Sequence, residues 1–141
     1  MATFLQLSEV LLGERHLDPG FGAQCMRLVT AAAPRSYGSD PHLTPMDALL
    51  ATFRELAHDP VDLEARTAAV MFADGTLGPM ARNLIIAWYN GFLGADVVDP
   101  AYYGAALVWP AISAEPPGLP GRYYGNWAYP PPRPIGPAPD G

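Results

Sequence analysis

Hydrophobic positions crowd most densely between Pro79 and Gly94, PMARNLIIAWYNGFLG, and their spacing is helical. Pro79 suits a first helical turn, where a missing N–H has no intrahelical partner to lose, and Gly91 and Gly94 offer ends. Met80, Leu84, Ile85, Ile86, Trp88, Tyr89, Phe92 and Leu93 cover most of the circumference; Arg82, Asn83 and Asn90 are the strongly polar interruptions. A helix apolar nearly all round is buried on more than one side. It is shorter than the roughly 20 apolar residues that span a bilayer. The pattern predicts the central helix of the body, with Phe92 in the core and Trp88 serving either core or interface.

The segments before it carry the same punctuation. Ser8 is expected to cap a short first helix through Leu12, with Gly13 ending it. Asp18-Pro19, Thr44-Pro45 and Asp59-Pro60 each pair a capping side chain with a first-turn proline. They lead Phe21, Cys25, Leu28 and Val29; Met46, Leu49, Leu50, Phe53 and Leu56; and Val61, Leu63, Ala68, Val70, Met71 and Phe72 up to a stop near Gly75. Between Arg35 and Thr44 the chain is rich in turn residues. After Gly94, Asp99-Pro100 predicts one last helix over Tyr102 to Val108, stopped by Pro110. No strand alternation stands out. The pattern predicts an all-α fold, a small bundle of four to six helices packed as near-antiparallel neighbours.

From Glu115 the pattern changes. The stretch PPGLPGRYYGNWAYPPPRPIGPAPDG is about half proline and glycine, yet it holds Leu119, Tyr123, Tyr124, Trp127, Tyr129 and Ile135. Disordered linkers are poor in aromatics. Burying four aromatic rings does not by itself offset the ordering of some two dozen residues. This extended Pro/Gly/aromatic-rich C-terminal arm, 115–141, is therefore expected to lie on a prepared surface, either of its own helical body, 1–114, or of a partner.

Composition narrows the classes. The chain has 141 residues, half of them hydrophobic and only 16% charged, with a net charge of -6. All eight basic residues are arginines, scattered along the chain, so no basic patch suits nucleic acid. The lone cysteine, Cys25, excludes a disulfide within the chain. The N-terminal MATFLQLSEVLLGER shows no export signal and no twin arginine, which reads as cytoplasmic, or as periplasmic if a leader was removed or a partner carries one.

Catalytic chemistry has little to stand on. His16, His42 and His58 share no metal-ligand spacing; the serines lie in no nucleophile elbow, and the glycines form neither a phosphate loop nor a dinucleotide-binding turn. Asp59, Asp62 and Glu64 cluster where a helix dipole favours negative charge. The sequence predicts no catalytic, cofactor-binding or metal-binding residues. Two interaction readings remain. One takes YPPPRPIGPAP as a polyproline ligand of a stand-alone module; the favoured one takes the apolar helix and the aromatic arm as one face of an obligate hetero-complex.

FLQLSEVLLG followed by LDP, AWYNGFLG, YYGAALVW and GRYYGNWA, in that order over Phe4 to about Ala128, resemble the small subunit of bacterial FAD-dependent sugar and polyol dehydrogenases of the sorbitol, fructose and glucose type. The resemblance implies a non-catalytic accessory subunit that stabilises, and in many members escorts, a large subunit of the glucose-methanol-choline oxidoreductase fold. That partner would hold FAD and an iron–sulfur cluster, and a cytochrome c subunit would take the electrons. Family members can bond to the large subunit through a cysteine in the tail; the corresponding Pro117 to Arg122 has none, which implies a noncovalent link. The residues expected to bind the partner are Trp88, Tyr89, Trp109, Leu119, Tyr123, Tyr124, Trp127 and Tyr129.

Overall fold

Asp18 and Thr44 open helices as their contexts require. The Phe21 N–H donates to Asp18 Oδ1 at 2.6 Å, and the Asp47 N–H donates to Thr44 Oγ1 at 3.1 Å. Each thereby satisfies a first-turn donor that has no intrahelical acceptor. They start α2, Pro19–Ala32, and α3, Pro45–Ala57. In this computed structural model, which describes residues 1–114 and Pro116, those helices pack with α1, Ala2–Leu12, α4, Leu63–Ala73, and α5, Leu77–Asn90. A two-residue antiparallel hairpin follows, β1, Phe92–Leu93, paired with β2, Asp96–Val97. A 3-10 turn, Tyr103–Ala105, and a one-turn helix, α6, Val108–Ala111, complete the described body. The fold is mostly helical, as the pattern predicts.

The central helix is central. α5 packs against α2, α4, α1 and α3, and Leu77, Met80, Ala81, Leu84, Ala87 and Trp88 are buried along it. They meet Phe4 and Leu7 of α1, Phe21, Cys25, Leu28 and Val29 of α2, Met46, Leu49 and Phe53 of α3 and Met71 of α4 in one core. At Gly78 a Cβ would stand 3.2 Å from the Met71 carbonyl oxygen and 3.3 Å from that of Phe72, so the absent side chain lets α5 start close against the end of α4 without displacing its backbone.

Several boundaries differ from expectation, each for a local reason. α1 begins at Ala2, not Ser8: Phe4 and Leu7 are fully buried, and Ser8 sits inside the helix with its Oγ donating to the Phe4 carbonyl at 2.8 Å. α4 starts at Leu63 because the Asp59 carboxylate accepts the Val61 N–H within a preceding turn. α5 starts two residues before Pro79, because Asp74 Oδ1 accepts the N–H groups of Thr76 (2.7 Å) and Leu77 (2.8 Å) and replaces the proline as the start signal. It ends at Gly91, whose left-handed φ of 71° releases the chain. Phe92 is consequently outside the helix and 42% exposed, not in the core. The expected helix over Tyr102 to Val108 is split, and Pro110 lies within α6 instead of stopping a helix before it. The arm calls, Leu119, Tyr123, Tyr124, Trp127 and Tyr129, lie outside the described residues.

Candidate functional site

The last turns of α5 and the segment folded back over them bring the aromatic residues together. Gly91 turns the chain into the hairpin, and the Val98 N–H donates back to the Gly91 carbonyl at 2.9 Å. Two side chains of α2 hold the hairpin in place: Arg27 Nη2 donates to the Val97 carbonyl at 2.9 Å, and Gln24 Oε1 accepts the Asp99 N–H at 3.3 Å. Tyr103 then lies over Gly91, where a Cβ would meet its ring at 3.0 Å. The Leu107 N–H donates to the Trp88 carbonyl at 2.9 Å and ties the segment to a backbone acceptor that the end of the helix leaves free.

Within this cap the residues divide by depth. Trp88 is 1% exposed and packs edge-on to Phe21, with ring centroids 5.3 Å apart at 64°. The chain itself covers its indole, so Trp88 supports the surface and does not present one. Tyr89 and Trp109 are half-buried. Trp109 stands edge-on to Tyr103, centroids 5.4 Å apart at 72°, and its Nε1 donates to the Tyr103 carbonyl at 3.2 Å. The ring contact and the hydrogen bond together fix the orientation of the half-buried indole. Around them Phe92, Val97, Tyr102 and Ile112 are exposed, and Phe92 and Val97 stand directly opposite each other across the hairpin. Sequence reading assigned none of these four to the surface. Gly91 carried the signal for Phe92: a helix that ends at this glycine cannot continue its buried stripe one residue further.

The described chemistry outside the cap is sparse. Burial pushes the Cys25 thiol up to about 12, which removes its nucleophilic thiolate at neutral pH. Asp74 accepts hydrogen bonds from the Tyr37 hydroxyl at 2.6 Å and from two backbone N–H groups, and these hold its carboxyl below the usual range. Among the described residues, no group of three His, Cys, Asp or Glu could hold a metal ion, and no helix is long and apolar enough to cross a membrane. A surface depression beside α1 is walled by Glu9, Glu14 and Glu64 with Arg15 and His16. Three carboxylates there do not suit the pyrophosphate of a flavin dinucleotide. An iron–sulfur cluster is typically held by about four cysteines, and the chain has one. This depression therefore does not suit a flavin dinucleotide, and a single cysteine does not make a four-cysteine cluster site.

What the arrangement offers is a set of exposed aromatic and aliphatic residues, interspersed with Arg27, Asp96 and Asp99, at the end of the described body. No curated protein and no solved structure gives a significant match to the chain. A family model does, over residues 1–115, which span the whole helical body. The chain therefore belongs to the family described as membrane-bound FAD-containing D-sorbitol dehydrogenase, in the small-subunit family of FAD-dependent polyol dehydrogenases.

Proposed function

We propose that this chain is a non-catalytic accessory subunit that binds and stabilises a large FAD-containing dehydrogenase subunit acting on sugar or polyol hydroxyls. The observation that carries this reading is the grouping of exposed apolar residues. Phe92, Val97, Tyr102 and Ile112 all lie in the last stretch of the body, the stretch that also holds half-buried Tyr89 and Trp109 and that precedes in sequence an arm with Tyr123, Tyr124, Trp127 and Tyr129. Fully desolvated aromatic anchors dominate binding energy in protein interfaces. FAD, and an iron–sulfur cluster where the complex has one, would belong to the large subunit, and a cytochrome c would take the electrons onward.

Function in this reading comes from burial. The cap gives a rigid starting surface, the arm adds aromatic area, and the partner supplies what the arm lacks as an isolated chain. Deleting residues 115–141 and co-expressing the remainder with the dehydrogenase subunit tests it. Recovery of flavin-containing complex should fall at least tenfold, whereas undiminished recovery would remove the arm from the account. A peptide of Tyr129 to Pro139 that bound a small proline-recognition module without the helical body would favour the polyproline alternative.

A further inference from the structure

Residues 98–112 run as a strap across two helices. Its ends fasten to the last turn of α5, where the Val98 N–H donates to the Gly91 carbonyl and the Leu107 N–H to the Trp88 carbonyl, each at 2.9 Å. Its middle fastens to α2. There the Asp99 N–H donates to Gln24 Oε1 at 3.3 Å, and the Tyr102 ring lies over Gly20, where a Cβ would stand 2.5 Å from Tyr102 Cε1 and 3.2 Å from Asp18 Oδ1. Among the described residues, these three hydrogen bonds are the ones that join the strap to the helices. Others close within it: the Tyr102 N–H donates to the Asp99 carbonyl, the Ala105 N–H to that of Tyr102, and Trp109 Nε1 to that of Tyr103. Val98 and Ala106 are its fully buried residues. Its regular structure is a three-residue 3-10 turn and a four-residue helix, lengths that are not stable by themselves in water. The strap is closed by docking, whereas the five long helices share one core.

We infer that residues 98–112 open and close as one unit on a five-helix body that stays folded, and that Gly20 is the socket that holds the strap shut. Segments with few buried apolar contacts and few hydrogen bonds to their surroundings open at lower free energy than the core, and the strap is poor in both. It moves as a piece because its turn bonds and the edge-on Tyr103–Trp109 ring pair are internal to it. The socket is visible in the residue type. Gly20 lies in the first turn of α2, where alanine would favour the helix, yet the space that glycine leaves is the space the Tyr102 ring fills. Tyr102, Trp109 and Ile112 all lie on the strap, so its closure groups them with Phe92 and Val97 in the cap, and its opening disperses them. The strap belongs to the chain itself and closes without a partner.

Residue-resolved native-state hydrogen exchange of the isolated full-length chain, measured across sub-denaturing urea concentrations, tests this. In the wild type the Val98 and Leu107 amides should be protected alike, within about threefold, and at least about tenfold less than the Leu84 amide in the middle of α5. Their exchange should respond weakly to urea and that of Leu84 steeply, because opening the strap exposes far less surface than unfolding the body. Gly20→Ala should lower protection at Val98 and Leu107 together by about tenfold, with a smaller change at Leu84, because alanine favours α2 whether the strap is open or closed. Tyr102→Ala leaves α2 untouched and should loosen both amides by itself; adding Gly20→Ala to it should then change neither further, as expected of two residues in one contact. Val98 and Leu107 protected as strongly as Leu84, with the same urea dependence, would show that the strap opens only with the body and would overturn the inference. So would protection differing more than about tenfold between Val98 and Leu107, which would mean two independent openings. Gly20→Ala acting equally with and without the Tyr102 ring, or having no effect on either amide, would remove Gly20 as the socket. Should Gly20→Ala fail to fold, unchanged exchange of both amides in Tyr102→Ala overturns it instead.

Discussion

Trp88 shows how one side chain supports a surface without reaching it. Its ring fills the space between α2 and the end of α5, and Gly22 exists to admit it: a Cβ there would lie 2.7 Å from Leu5 Cδ2 and 3.2 Å from the indole. Trp88→Ala should cost about 3–5 kcal/mol in denaturant unfolding, through lost burial and the cavity left behind. Gly22→Ala should cost about 1–3 kcal/mol from overpacking. Because the Cys25 thiol is buried and pushed up to about 12, alkylating reagents should leave it untouched in the native chain and modify it on unfolding. Tyr37 and Asp74 make a pH-dependent pair. The depressed Asp74 carboxyl contributes stability that is present above its unfolded value and lost as pH falls through the folded one. The raised Tyr37 hydroxyl contributes stability that is present below its unfolded value and lost as pH rises through the folded one. Tyr37→Phe should therefore lower stability by about 1 kcal/mol or less near neutrality. That difference should shrink in acid as Asp74 takes up its proton and in alkali as the wild-type phenol loses its own.

At the scale of elements, Gly78 is the most exacting position. Gly78→Ala would press a methyl group against two backbone carbonyls that cannot swing aside, and thermal melting should show a loss of about 1–3 kcal/mol. The helices opened by Asp18 and Thr44 were legible because a cap and a first-turn proline act locally, on N–H groups two or three residues away. The starts of α4 and α5 were harder to read because only the folded chain shows that the Asp59 carboxylate closes a turn ahead of α4 and that Asp74 takes the first N–H of α5 ahead of Pro79. Ser8 misled for a related reason: a hydroxyl that can cap can also bond back to the carbonyl four residues earlier. The β1–β2 hairpin has two residues per strand, too few to display alternation, and its position depends on Arg27 and Gln24, some seventy residues away in sequence.

For the whole molecule, the sequence pattern disclosed a helical body built on one central helix, and three of the four motifs that carried the resemblance lie within the residues the family model matches, whereas the arm lies outside the described residues. The pattern did not disclose depth. Trp88 and Tyr89 are adjacent in an apolar run, and only packing shows that one is sealed by Phe21 while the other stays half-buried. Nor could periodicity show that Phe92 and Val97 stand together at the surface, or that Arg82 of α5 lies over the Phe72 ring of α4. The exposed apolar residues of the cap support the proposal that a partner covers this chain. The most direct test is affinity purification of the full-length chain from cells that also express its dehydrogenase subunit, followed by native mass spectrometry and a flavin spectrum. The account predicts a stable hetero-complex that carries FAD on the larger chain and loses it with that chain. Recovery of the small chain alone, as a sharply melting monomer that binds no apolar dye and brings down no flavoprotein, would contradict it.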